Sequence, residues 1–140
     1  MVVGSGEGIP LGILVASASP AEVKLAEPTL ATLPMPTPHA DGSLPWPEHL
    51  VVDRGYDSDP FRLRMAELGI EVVAPHRRNR VRPPTQDRRA LPRYRRRWKI
   101  ERLIAWFGNF RRLVVRYERR VEQYVAFMHV ACLLITLRYL

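Results

Sequence analysis

The chain has almost no cysteine and very little lysine. Cys132 is the single cysteine in 140 residues, which excludes a disulfide framework or a cysteine-ligated zinc site within the chain. It lies in an apolar run and reads as a small buried hydrophobe. The four histidines, His39, His49, His76 and His129, are scattered without ligand spacing, so no histidine-based metal site is expected. Lysine occurs twice against twenty arginines, a bias toward the planar fork that grips phosphate. No internal repeat is present. The apolar stretch from Ile9 to Ala18 lacks a positive segment ahead of it and follows Glu7, so it is not read as a secretory signal. The apolar tail from Val121 to Leu140 contains Glu122, Gln123, His129 and Arg138, and is read as a buried helix rather than a membrane span. The expectation is a soluble, cytoplasmic protein without a membrane partner.

What is present is charge of one sign, concentrated in one place. The length is that of one domain, and the 46% apolar content is that of a folded chain. The formal net charge is +8. Residues 76–120 hold seventeen Arg and Lys against Asp87, Glu101 and Glu118, a net of +14, whereas the rest holds five against eleven, a net of −6. A merely solvated surface mixes the signs. A segregated basic half points to a polyanion.

Residues 1–16 predict a glycine-turned hairpin, with branched residues flanking Gly4-Ser-Gly-Glu-Gly8. A helix is expected from Pro20 to about Thr32, with Val23, Ala26, Leu30 and Leu33 on its buried stripe. Residues 34–47 carry five prolines and form a connector. His49 to Asp53 reads as a short strand and Asp59 to Leu68 as a helix capped by Ser58 and closed by Gly69. Ile70 to Ala74 reads as a second strand, giving a parallel crossover unit. A basic loop spans 76–84. One helix is expected from about Thr85 to Phe107, interrupted or delayed by Pro92, and a long terminal helix from about Val115 to Tyr139. The fold class is therefore α/β: hairpin, helix, strand, helix, strand, then two C-terminal helices.

The candidate site rests on Tyr94-Arg-Arg-Arg97-Trp-Lys-Ile-Glu101, which sets one carboxylate amid cations, and on Asp53, 48 positions earlier. Two such acids on a positive surface fit divalent-metal chemistry on a nucleic-acid backbone. At about 100° per residue, Tyr94, Arg97 and Glu101 share one face of a helix. Arg95, Lys99 and Arg102 share a second, cationic face, and Ile100, Leu103, Ile104 and Phe107 share the buried one. Two plainer roles stay open. Glu101 is spaced to pair with Arg97 or Arg102, and Asp53 opens Asp-Arg-Gly, which is good turn material.

Several segments together carry a resemblance. They are Gly8-Ile-Pro-Leu-Gly12, Lys24-Leu-Ala-Glu-Pro-Thr-Leu30, Asp53-Arg-Gly-Tyr56-Asp-Ser, and Tyr94-(two)-Arg97-(three)-Glu101 followed by Asn109-Phe-Arg-Arg-Leu113. The chain resembles bacterial insertion-sequence transposases of the DDE type, of the insertion-sequence-five and related groups, over its whole length. The resemblance implies an RNase H-like core in which two Asp and one Glu hold Mg2+ or Mn2+ for phosphodiester cleavage and strand transfer at transposon ends. It makes Asp53 the second Asp and Glu101 the Glu, both metal ligands. Tyr94 and Arg97 would act near the cut ends, with Arg95, Lys99, Arg102, Arg111 and Arg112 as further DNA contacts. The implied partners are terminal inverted repeats, an upstream-frame product or intact transposase, and other copies in a homo-oligomer.

Three departures qualify it. No residue takes the place of the family's first Asp, whose strand would precede the hairpin. Gly108 stands where the signature ends in Lys. The resemblance implies N-terminal DNA-recognition helices as well, and none is expected within this sequence. The expectation is an incomplete fold with its first strand missing, the C-terminal part of a transposase. Such a chain would bind metal weakly and be inactive alone, as either a split-frame product or a relic. The other expectation is a non-catalytic DNA-binding fragment that regulates an intact transposase.

Overall fold

Short apolar runs broken by glycine and proline give short elements. The computed structural model describes residues 1–34 and 46–140. In chain order the elements are β1 (Val2–Gly4), β2 (Pro10–Ile13), α1 (Glu22–Leu30), β3 (His49–Val51), α2 (Asp59–Glu67), β4 (Glu71–Val73), α3 (Trp98–Phe107), α4 (Arg111–Val114) and α5 (Val121–Thr136). Three 3-10 turns, Arg54–Tyr56, Leu91–Arg97 and Leu137–Tyr139, complete them. The architecture is mixed α/β with two small sheets. The chain divides into a terminal unit, Met1–Pro34 with Trp98–Leu140, and a middle unit, Met35–Arg97. The proline-rich connector expected at 34–47 lies mostly outside the described residues.

In the terminal unit β1 and β2 pair antiparallel, with Val2 opposite Ile13 and Val3 opposite Gly12. Their loop is tied by Ser5, whose hydroxyl accepts the Glu7 and Ile9 N–H groups, both at 3.1 Å. Gly8 takes φ +88° there, a conformation that costs glycine nothing. α1 packs on both strands and buries Ala26, Thr29 and Leu30. α3 packs on β1, where Gly4 permits close approach: a Cβ there would lie 3.1 Å from Ile100 Cδ1. Leu103 is fully buried, but Ile104 is 55% exposed, so the expected apolar face of α3 is narrower than its spacing predicts.

α5 packs on β2 and α4, burying Ala131 and Ile135, and Tyr124 donates to the Leu113 carbonyl at 3.0 Å. Val130, Leu133, Leu134 and Leu137 stay exposed, so one stripe rather than the whole helix is covered. By length and composition alone the run Val121–Tyr139, with a mean hydropathy of 1.3, could cross a membrane. The helix begins at Val121 and not near Val115. Residues 115–120 are held otherwise: Glu118 accepts from Arg112 (3.0 Å) and from the Tyr117 N–H (3.2 Å), and Arg116 donates to the Glu118 carbonyl.

In the middle unit β3 and β4 run parallel, with His49 opposite Glu71, Leu50 opposite Val72 and Val51 opposite Val73. α2 connects them. Ser58 accepts the Phe61 N–H at its start, and Gly69 ends it at φ +75°, as the capping residues predict. Tyr56, Phe61, Met65, Ile70, Val72, Val73 and Ala74 are buried.

The helix expected from about Thr85 is delayed by Pro92, as its position predicts, and residues 85–90 are not helical. Leu91–Arg97 is a 3-10 turn, and α-helix starts only at Trp98. Pro92 donates no hydrogen bond. In an α-helix Arg93, Arg96 and Arg97 would stack as like charges three and four apart.

Candidate functional site

Asp53 stands just past the carboxyl end of β3, beside a parallel neighbour. In open α/β sheets this is the end at which ligands bind. It caps the following 3-10 turn, with Oδ1 accepting the Gly55 N–H at 2.7 Å. The turn reading of Asp-Arg-Gly therefore holds, and it orients the carboxylate. A Cβ on Gly55 would come within 2.8 Å of Asp53 Oδ1, so that residue must be glycine for the carboxylate to stay where it is.

Glu101 belongs to the terminal unit. It is exposed in the first turn of α3, where the helix dipole favours a carboxylate. Tyr94 and Arg97 belong to the middle unit and lie on the 3-10 turn. There the i, i+3 spacing brings the Arg97 guanidinium 5.6 Å from the Tyr94 ring centre. A single helical wheel through Tyr94, Arg97 and Glu101 does not apply, because the chain changes from 3-10 to α between them.

The expected cationic face divides. Lys99 donates to the Gly6 carbonyl (2.7 Å) and pairs with Glu7 (2.8 Å). Arg102 donates to the Glu7 carbonyl (3.2 Å) and the Tyr139 hydroxyl (3.0 Å) and stacks on Trp98 and Trp106. Both hold the hairpin loop to α3. Arg112 pairs with Glu118 and lies over Phe127. Arg95 and Arg111 are exposed, and their side chains make no hydrogen bond or ion pair among the described residues.

The densest polar cluster involves an acid the sequence reading passed over. Asp57, its side chain only 2% exposed, lies 2.8 Å from His76 Nδ1, 3.5 Å from Arg62 and 3.3 Å from Arg80, and accepts the Arg77 N–H at 2.8 Å. His76 Nε2 accepts the N–H groups of Thr85 and Gln86, so Nδ1 carries the proton and donates to Asp57. Burial pushes the Asp57 carboxyl up, but the Arg77 N–H, His76 and Arg80 outweigh it and hold the group below its ordinary value. Asp59 is also lowered, by Arg80 first and then Arg82. Arg62 further donates to the carbonyls of Val72 (2.9 Å) and Ala74 (2.8 Å). The loop at 76–82 is thus tied to the protein through His76, Arg77, Arg80 and Arg82. The contact between Asp57 and His76 spans nineteen residues, and no local spacing signals it.

Beyond that loop, Arg88, Arg93, Arg95 and Arg96 are exposed and have no ion pair among the described residues. The divalent metal implied by the resemblance finds no complete donor set. Among the described residues no three His, Cys, Asp or Glu side chains gather to hold an ion. Asp57 and Asp59 are engaged by arginines and Asp87 by Arg89. The described residues do not by themselves fit a metal centre.

The transposase DDE domain family matches residues 1–136. The chain is 34% identical over 134 residues to a protein from Burkholderia cepacia described as a transposase for insertion sequence element IS402, covering 96% of this chain and 60% of that one. It is 32% identical over 92 residues to one from Brucella ovis described as a transposase for insertion sequence element IS6501, covering 64% of this chain and 68% of that one. The chain therefore spans about 60% of the length of the Burkholderia relative. No solved structure matches it.

Proposed function

The chain belongs to the DDE transposase family, and on that premise we propose that it carries part of an RNase H-like catalytic fold, with Asp53 and Glu101 as carboxylates of the DNA-cutting chemistry. The reaction is cleavage and strand transfer at transposon ends. The observation that carries the reading is Asp53 itself. It is an acid at the carboxyl end of a parallel strand pair, oriented by the Gly55 N–H, in a chain matched to the family over 1–136. Glu101 supports it as the acid that follows the arginine run and opens α3.

Asp53 and Glu101 together supply two negative charges. Two divalent ions bring four positive ones, so a further carboxylate must come from outside the described residues. The chain works in a cytoplasmic homo-oligomer on inverted-repeat DNA. The test is magnesium-dependent nicking of transposon-end DNA by a full-length transposase containing this segment. Asp53→Asn and Glu101→Gln should each abolish nicking. Undiminished nicking by either variant rejects the assignment.

The exposed arginines at 88, 93, 95 and 96 favour a second reading, a non-catalytic DNA-binding fragment that competes with intact transposase. It predicts affinity that falls steeply with salt and ignores magnesium. Affinity insensitive to salt would remove it.

A further inference from the structure

We propose that Arg77 is a positioning residue for Asp53, acting through the peptide group between Arg54 and Gly55; the inference rests on the reading of Asp53 as a catalytic carboxylate. The N–H side of that peptide donates to Asp53 Oδ1 at 2.7 Å. Its carbonyl side, on Arg54, accepts from Arg77 Nε at 3.1 Å. The next carbonyl, on Gly55, accepts from Arg77 Nη2 at 2.6 Å. One guanidinium fork thus grips two successive carbonyls of the turn and fixes the plane whose opposite edge holds the carboxylate. A cation on the carbonyl end also polarises the peptide and strengthens the bond its N–H makes.

Arg77 is itself anchored. Its N–H donates to Asp57 Oδ2, and the other oxygen of Asp57 faces His76, Arg62 and Arg80. Tertiary contacts made by the buried Asp57 are thereby relayed along the loop to the exposed Arg77, then through one peptide group to Asp53. Among the described residues the Asp53 carboxylate makes no ion pair, and the Gly55 N–H is the donor that holds it. Without that peptide held flat, its carboxylate would sample other rotamers, and misplacement of a reacting group by about 1 Å can cost about a hundredfold in rate.

Two variants disturb the same link from opposite ends. Arg77→Ala frees the carbonyl side. Gly55→Ala crowds Asp53 Oδ1 directly and displaces the carboxylate without touching the core. Hydrogen exchange on the full 140-residue chain reads the geometry apart from catalysis. In Arg77→Ala the Gly55 amide should exchange about tenfold faster, while amides of α2 and β4 keep their rates. In a full-length transposase containing the segment, both variants should lower kcat for cleavage by about 10- to 100-fold with KM for DNA held. Arg77→Lys, which keeps the charge but loses the fork, should fall between.

An unchanged Gly55 exchange rate in Arg77→Ala overturns the proposal. So does a uniform acceleration of all amides, which would mark Arg77 as merely structural. If Gly55 responds as expected but Asp53→Asn leaves cleavage intact, the clamp stands and the catalytic reading of Asp53 falls.

Discussion

Two arginine-rich stretches of the middle unit, close in sequence and similar in composition, are put to opposite uses. In 76–82 Arg77, Arg80 and Arg82 are engaged by the protein, while Arg78 is exposed. Arg80 bridges Asp57 and Asp59, Arg82 reaches Asp59, and Arg77 grips the turn after Asp53. In 88–97 Arg88, Arg93, Arg95 and Arg96 face solvent without an ion pair among the described residues. The difference lies in what each stretch meets. The first returns past the two acids at the start of α2, whereas in the second Arg89 pairs with its near neighbour Asp87. Net charge therefore overstates what is free to bind a polyanion, because arginines already spent on carboxylates cannot release counterions from DNA.

The comparison can be broken most severely at its hub. Asp57→Asn leaves Arg62, His76 and Arg80 facing a neutral group. Losing one partner of a buried ionic cluster costs about 3–5 kcal/mol, so chemical denaturation should show a large fall in stability and release of the 76–82 loop. A loss below about 1 kcal/mol would mean that the cluster is ornamental.

Next in size, Arg80→Ala should cost about 1–3 kcal/mol, because its side chain is 11% exposed and its partners would be left in place. Arg95→Ala and Arg96→Ala should stay within about 0.5 kcal/mol. Equal effects from the two stretches would erase the distinction.

A smaller effect appears in acid. The folded Asp57 carboxyl titrates below its ordinary value of 3.8, so it binds fewer protons when folded than unfolded. Its stabilisation is present above 3.8 and is lost as pH falls through the depressed folded value. The melting temperature should drop in that window, and in Asp57→Asn this part of the drop should vanish.

What was legible in the sequence was local. Gly4 to Gly8 announces the hairpin, Ser58 and Gly69 bracket α2, and Leu50-Val-Val and Val72-Val read as strands because capping, turns and β-branching act within a few residues. Pro92 was legible as a break in the helix, and the 3-10 turn Leu91–Arg97 ahead of Trp98 follows from it and from the mutual repulsion of stacked arginines. Lys99 and Arg102 misled because cations on a helix look free until the hairpin loop that they bind is in place. Asp53 was legible both as a turn cap and as a site candidate, and the structure supports the first role without displacing the second. Asp57 escaped notice since its partners lie far along the chain and no spacing rule links them.

We propose that the exposed arginines at 88, 93, 95 and 96 are among those that hold DNA. That claim is tested most directly by the salt dependence of DNA affinity for the wild-type chain, Arg80→Ala, and a variant with Arg88, Arg93, Arg95 and Arg96 all changed to Ala. Each lost phosphate contact should reduce the slope of log affinity against log salt by about 0.9, so the quadruple variant should lose roughly 3.6 while Arg80→Ala keeps the wild-type slope. A quadruple variant that binds with the wild-type slope would contradict the account.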